Sequence, residues 1–224
     1  MTREILLKAI EDRHSVRRYT ERQIEEEKRE LLNEKIAEIN ERSGFRIQVF
    51  FDEPEAFKAT RPHYGSFKGC RNYFAIVGPS DEKEKAGYFG EELVLYAQSI
   101  GLNTCWVALT FEKRKVKIKA SEDFSLYLVI SLGYGENEGN AHRSKTPEKV
   151  SNISENSPEW FKNGVKAALL APTAINQQKF YIEQTGDREV SARALAGPYS
   201  ELDLGIVKYH FEAGAGRENF SWKE

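Results

Sequence analysis

Residues 125 to 135 read SLYLVISLGYG, a nearly continuous apolar run closed by two glycines. A strand with one wet face alternates apolar and polar side chains, whereas an unbroken apolar run is what a strand covered on both faces needs. The chain must therefore supply cover for both sides of a sheet. Upstream, YFGEELVLYAQSIG places Leu93, Val94, Ala97 and Ile100 on one helical stripe and stops at Gly101. That helix is expected to be the buried central one, and it leads straight into the strand-like LNTCWVAL.

The remaining elements follow from the same periodicities. Ile5, Leu6, Ala9 and Ile10 predict a first helix with Thr2 as its N-cap, ending near Arg13. EEEKRELLNEKIAEINERSG predicts a second, carrying Leu31, Leu32, Ile36 and Ile39 and stopped by Gly44. FRIQVFF and RNYFAIVG read as strands. The polar stretch ENEGNAHRSKTPEKVSNISENS reads as a linker or crossover. After it, SPEWFKNGVKAALL predicts a helix with Ser157 as N-cap, Pro158 at its first position and Pro172 closing it off. APTAINQQKFYIEQTG is a loop followed by a strand, and DLGIVKYHFEAGAGRENFSW is a short helix, a glycine-rich turn and a final aromatic. Strands alternate irregularly with helices, which predicts an α+β fold with a mixed, largely antiparallel sheet flanked by helices.

Two segments echo one another. GEELVLYAQSIGLNTCW (Gly90 to Trp106) and GIVKYHFEAGAGRENFSW (Gly205 to Trp222) both run from Gly through a helix to a glycine-containing turn and then Trp. They are either degenerate copies of one unit or two unrelated amphipathic helices.

Composition excludes several classes. The 33 Lys and Arg nearly balance the 35 Asp and Glu, for a formal net charge of −2, so no global field draws in nucleic acid or an anionic membrane. Cys70 and Cys105 make no disulfide framework, and His14, His63, His142 and His210 never stand at zinc-ligand spacing from them. No metal site is expected. MTREILLKAIEDR lacks the apolar core of a leader peptide and no stretch reaches about 18 apolar residues, so a cytoplasmic protein is expected.

Three clusters could carry chemistry. In RHSVRRYT, Arg13, Ser15 and Arg17 offer guanidinium and hydroxyl donors that suit a phosphate if one turn lets them converge; the alternative is a solvated basic turn. APTAINQQ is rich in small residues and side-chain amides, which suits the edge of a heteroaromatic ring or a polyol; the alternative is a turn whose amides satisfy their own backbone. GLNTCWVAL could offer a backbone N–H to a ligand or simply pack in the core. Cys105 has no basic neighbours in sequence and no His base, which argues against a nucleophilic thiol.

Taken together these pieces resemble the nitroreductase family of flavin enzymes. RHSVRRYT is similar to the family's Arg-x-Ser-x-Arg/Lys opening, GLNTCWVAL to its Gly-Leu-Gly-Thr-Cys-Trp segment, HRSK to its late Lys/Arg pair, and APTAINQQKF to its Ala-Pro-Ser-x-x-Asn-x-Gln-Pro-Trp loop. The order departs from the usual one, because the Asn/Gln loop comes late, after residue 170. Lys179 also stands where the family has Pro, and Asn103 where it has the second Gly of the turn. Ordinary members are homodimers with the flavin at the interface. This chain resembles the small single-chain branch typified by a protein of Thermotoga, a fused and decayed pseudo-dimer. Its N-terminal half would be residues 1–140, with the crossover and degenerate second half in 141–224, and one compact unit is expected; a monomer is expected, with a homodimer as the alternative.

The resemblance implies FMN as cofactor and NADH or NADPH as reductant, with a small electron-poor acceptor, nitroaromatic or quinone-like. It implies that Arg13, His14, Ser15 and Arg17, assisted by Arg143 and Lys145, bind the phosphate and ribityl chain. Pro172, Thr173, Ala174, Asn176 and Gln178 would line the ring and ribityl side, and the backbone of Val107, Ala108 and Leu109 would approach the flavin N5 region. No side chain would be catalytic in its own right, because the chemistry is the flavin's. The alternative is an FMN-binding sensor or binding module without efficient turnover.

Overall fold

The computed structural model describes residues 1–58, 65–118 and 123–223; His63 lies outside them. The chain divides into two compact units assembled from separated stretches. One holds residues 13–82 and 93–141, the other residues 1–12, 83–92 and 142–224.

The first unit is built on a four-stranded sheet. Strands β1 (Gln48–Phe50), β2 (Asn72–Pro79), β3 (Asn103–Val107) and β4 (Phe124–Gly133) lie in the order β1-β2-β4-β3, and every neighbouring pair is antiparallel. The apolar run of residues 125–133 is β4, an inner strand, with Val129, Ile130 and Leu132 fully buried. β2 is the other inner strand and is buried from Asn72 through Gly78. Helix α2 (Glu26–Ser43) buries Leu32, Ile36 and Ile39 and ends where Gly44 turns to φ 75°, its N–H donating to Asn40 O at 2.9 Å. The Asn40 side chain then holds both backbone groups of Ile47, at 2.8 and 2.9 Å, and so sets the return into β1. The strand read from FRIQVFF shrinks to Gln48–Phe50, although Phe45 and Ile47 are still buried.

The second unit holds helices α1 (Arg3–Asp12), α4 (Glu159–Ala168) and α5 (Ser200–Ala215), and a three-stranded sheet. Strand β5 (Phe180–Gly186) pairs antiparallel with β6 (Glu189–Ala194), and β7 (Ser221–Trp222) runs parallel beside β6. Helix α3 (Lys83–Ser99) gives its first ten residues to this unit and the remainder to the other. The mixed α+β class is as expected, but it is realised in two sheets rather than one.

Several local expectations need correction. β6 escapes periodicity analysis because EVSARA carries a single fully buried apolar residue, Val190. The tail helix is not short: α5 is the most thoroughly buried, thirteen of its sixteen residues being covered. The helix ending at Gly101 is buried at Leu93, Val94, Leu95 and Ala97, and it begins earlier, at Lys83. Ser157 does not cap α4. Pro158 occupies the cap position (φ −63°, ψ 150°), and the Ser157 hydroxyl accepts from Ser154 N instead. Thr2 does cap α1, accepting from Ile5 N at 3.4 Å.

The two echoing segments share an order of elements. α3 and α5 both end at a glycine of positive φ, Gly101 at 79° and Gly216 at 81°, and both lead to a strand that contains the tryptophan, β3 with Trp106 and β7 with Trp222. Within the second unit α5 crosses the start of α3 at two glycines. A Cβ on Gly205 would lie 1.8 Å from Glu84 O, and one on Gly87 would lie 1.9 Å from Leu202 O, so neither helix backbone leaves room for a methyl group.

Gly205→Ala is therefore expected to lower the unfolding free energy by on the order of 3 kcal/mol, because two helix backbones must separate. At Gly44, where nothing lies within 4 Å and only the positive φ resists a side chain, alanine should cost only about 1 kcal/mol. Urea denaturation of the two variants beside the wild type checks the difference.

Candidate functional site

In the four-stranded unit RHSVRRYT is neither a helix nor a free turn. Ser15 forms a parallel bridge with Thr104, and Val16 N donates to Thr104 O at 3.0 Å, so the segment lies along β3. On its other side Tyr19 N donates to Lys68 O at 2.8 Å and Lys68 N to Arg17 O at 3.0 Å. The Tyr19 hydroxyl donates to Val16 O at 2.8 Å and meets Ser131 Oγ at 2.7 Å, tying the segment to β4.

A bridged segment of this kind sends alternate side chains to opposite sides. Arg13, Ser15 and Arg17 share one side, and all three act on the Cys105 thiol of β3. Burial pushes that thiol up, while the Arg17 charge, a hydrogen bond from Ser15 and the Arg13 charge pull against it. Cys105 thus has basic neighbours in space that it lacks in sequence; burial still wins, and the thiol stays protonated. Arg18 points elsewhere, pairing at 2.8 Å with Glu136, which also takes Lys68 at 2.8 Å. An isolated bridge to β3, rather than one turn, brings Arg13, Ser15 and Arg17 within reach of the same thiol, while Arg18 is held by Glu136.

Arg13 is 4% exposed, and His14, Ser15 and Arg17 are half-buried. His14 backs onto Gly139, whose φ of 75° and lack of a side chain let the loop after β4 approach to where a Cβ would sit 2.8 Å from that of His14. Asn103 explains its own place in the turn. Its Oδ1 accepts from Gly135 N at 2.8 Å and its Nδ2 donates to Glu138 at 2.9 Å, so it clamps the loop that covers His14 and Ser15. Beyond Asn103, β3 ends at Val107, which is buried, and the chain opens through half-buried Ala108 to Leu109, an exposed leucine.

The second unit brings together the other expected residues. In APTAINQQ, Ile175, Asn176 and Gln178 have φ of 48°, 54° and 46°, left-handed values that cost a non-glycine residue on the order of 1–3 kcal/mol each. The surrounding hydrogen bonds dictate that shape. Ala174 N donates to both oxygens of Asp203 at 3.1 Å, and Gln177 Nε2 donates to Asp203 and to Pro198 O at 2.7 Å. Gln178 N donates to Thr173 Oγ1 at 3.0 Å. Asn176 Nδ2 donates to Arg143 O at 2.9 Å, Gln178 Nε2 to Asn176 Oδ1 at 2.8 Å, and Lys145 N to Gln178 Oε1 at 2.8 Å. Lys145 Nζ adds a bond to Gln178 O at 2.7 Å.

HRSK and APTAINQQ thus form one structure, sewn by backbone and amide bonds and backed by His142 and Ser144 on Leu169 O. The buried Gln178 amide is used by the chain itself at both ends, so its role is to shape the loop. What the loop turns outward is Ile175 and Asn176, with Pro172, Thr173 and Ala174 half-buried beside them.

Asp203 went unread because an acidic residue in a helix's first turn is ordinary. It is 4% exposed, and burial lifts its carboxyl to about 6 against the hydrogen bonds from Gln177 and Ala174, which favour the anion. The folded state therefore holds a proton that the unfolded state releases near its ordinary 3.8. Stability from this group is full below about pH 4, falls as pH rises towards 6, and is level above that. The difference in unfolding free energy between wild type and Asp203→Asn should change across that window by on the order of 3 kcal/mol. Denaturation of both proteins at a series of pH values checks it, and a flat difference would exclude the buried carboxyl as its source.

Among the described residues no group of three His, Cys, Asp or Glu is placed to hold a metal ion, and no helix is long and apolar enough to cross a membrane. No curated protein matches the chain. Among solved structures, a "putative nitroreductase" of Thermotoga maritima is similar over 95% of this chain and 84% of its own, with a TM-score of 0.64 and 22% identity. A "putative nitroreductase in complex with FMN" from Desulfovibrio desulfuricans is similar over 68% of this chain and 98% of its own, with a TM-score of 0.53 and 21% identity. A "Putative NADH dehydrogenase/NAD(P)H nitroreductase" from Bacteroides thetaiotaomicron gives 68% and 98%, a TM-score of 0.51 and 20% identity. These likenesses establish the fold. The family model described as "Putative TM nitroreductase" matches residues 5–215, nearly the whole chain, and the protein belongs to that nitroreductase family.

Proposed function

We propose that this chain is an FMN-dependent NAD(P)H oxidoreductase of the nitroreductase type, passing two electrons as hydride to an electron-poor acceptor such as a nitroaromatic or a quinone. Family membership supports the class, and two structural neighbours carry FMN and NAD(P)H in their names. The observation that carries the cofactor is the shared side of Arg13, Ser15 and Arg17, two guanidinium groups and a hydroxyl beside the end of β3. Fixed cations of this kind suit a phosphate dianion better than any neutral ligand.

In this proposal Arg13, Ser15 and Arg17 hold the FMN phosphate, with His14 beside them and Arg143 as a further cation. Lys145 acts chiefly by holding the loop. Pro172, Thr173, Ala174 and Asn176 face the ring and ribityl chain in a shape that Gln178 maintains, and the backbone of Val107, Ala108 and Leu109 offers donors to the ring edge. FMN, when bound, supplies the hydride chemistry itself. The residues of the chain orient the ring and keep its phosphate neutralised.

The same proposal makes the chain a fused pseudo-dimer, residues 1–140 supplying the phosphate ligands and 141–224 the ring-facing loop, complete as a monomer. Three observations support it. α3 and α5 are each followed by a glycine of positive φ and then by a strand that carries a tryptophan. Helix α1, at the start of the chain, clusters with the C-terminal stretch, Arg3 donating to Ala213 O and Gly214 O. About two-thirds of this chain accounts for nearly all of an ordinary neighbour, which leaves a third over.

The test is absorbance of the purified protein after FMN addition and desalting, followed by anaerobic titration with NADPH and NADH. Retained flavin colour that bleaches with nucleotide is the expected result. Arg17→Ala should weaken FMN binding by about 10- to 100-fold, the value of a charge-assisted phosphate contact. Colour that stays without bleaching would make the protein a binding module, and no retained colour at saturating FMN would overturn the cofactor assignment.

A further inference from the structure

Beside its bond to β3, where Val16 N donates to Thr104 O at 3.0 Å, RHSVRRYT has a second hold on residues 134–139, the loop after β4. Thr20 N donates to Tyr134 O at 2.8 Å, Glu136 N donates to Arg18 O at 2.8 Å, and Tyr19 forms an antiparallel bridge with Gly135. The approach leaves no room for side chains on the loop. A Cβ on Gly135 would lie 2.9 Å from Val16 Cγ1, and one on Gly139 would lie 3.1 Å from Ser15 O. Asn103, buried at the start of β3, joins this loop to the strand. Its Oδ1 accepts from Gly135 N at 2.8 Å and its Nδ2 donates to the exposed Glu138 at 2.9 Å. The next residue along β3, Thr104, is the one that binds Val16, so strand, loop and segment close on one another within a few residues. A glycine at position 103 could make neither of the Asn103 side-chain bonds.

Resting on the function proposed above, we infer that Asn103 is a positioning residue for the FMN phosphate, acting through the loop of residues 134–139 rather than on the ligand. The loop fixes the backbone from His14 to Thr20, and with it the origins of the Ser15 and Arg17 side chains. A phosphate dianion gains fully from several donors only when they are already in place, because each group that must first be ordered subtracts from the affinity. The Asn103 clamp therefore sets how strongly the site prefers a flavin with a phosphate to one without.

The test compares the binding of FMN and of riboflavin, which has the ring and ribityl chain but no phosphate, to the full-length protein by flavin fluorescence. Asn103→Ala removes both bonds without changing charge. It should raise the Kd for FMN about five- to tenfold and leave that for riboflavin within about twofold. Asn103→Asp combined with Glu138→Gln exchanges donor and acceptor across the same contact at constant net charge, and should restore the wild-type Kd for FMN. Asn103→Asp alone sets two carboxylates against each other and should not. Should Asn103→Ala fail to fold, the comparison of Asn103→Asp with the double variant decides on the same two constants. An unchanged Kd for FMN would overturn the inference and leave the proposed function standing. Equal weakening of both flavins would also overturn it, by showing a general structural role, as would a folded double variant that does not recover. Wild-type protein that binds neither flavin, or binds both alike, would instead overturn the proposed cofactor site, and this inference with it.

Discussion

The long antiparallel pairing of β2 with β4, from Asn72 opposite Leu132 to Pro79 opposite Phe124, is the frame on which the four-stranded unit hangs. β2 is buried from Asn72 through Gly78 and β4 from Leu128 through Gly133, and the register shifts once, between Ile76 and Val77. β4 then fixes β3 on its other edge, and β3 fixes RHSVRRYT through Ser15 and Val16. The positions of Arg13 and Arg17 are thus inherited from a largely apolar inner strand. The Tyr19 hydroxyl, reaching Ser131 in β4, ties the same segment directly to that frame.

The loop of residues 171–178 is stabilised in the opposite way. It has no sheet to lie along, and its left-handed residues are individually unfavourable. It holds together because many of its polar atoms have fixed partners: Asp203 at the start of α5 for Ala174 N and Gln177 Nε2, and the Arg143–Lys145 backbone for the Asn176 and Gln178 amides. Such a network resists alternative conformations, because breaking one bond leaves its partner unsatisfied. The left-handed residues include exposed Ile175 and Asn176 and buried Gln178, so the strain runs through the loop from its surface to its interior.

Helix α5 joins the two themes. Its first turn carries Asp203 to the loop, Gly205 lets it lie against α3, and its last turns are gripped by Arg3 through Ala213 O and Gly214 O. Near its end Glu212 collects Tyr88, Arg217 and the indole N–H of Trp222, so the terminal strand is anchored by a buried carboxylate. A single helix so thoroughly buried leaves little freedom for substitution, and its sequence shows it in the run of small residues Ala213 to Gly216.

Local pattern by itself determined the helices, the two inner strands and the glycine stops, because hydrophobic period and left-handed caps are properties of a few consecutive residues. The combination of motifs likewise carried the family resemblance, since RHSVRRYT, GLNTCWVAL, HRSK and APTAINQQ each show their residue types locally. Only the tertiary structure decided that Arg13, Ser15 and Arg17 all act on Cys105, that Arg18 is diverted to Glu136, and that Gln178 is spent on its own chain. It also supplied β6, whose pattern is too weak to read, and Asp203, whose carboxylate meets Ala174 and Gln177 across more than twenty residues of chain. These facts depend on pairings between distant segments, and a pairing has no signature in either segment alone.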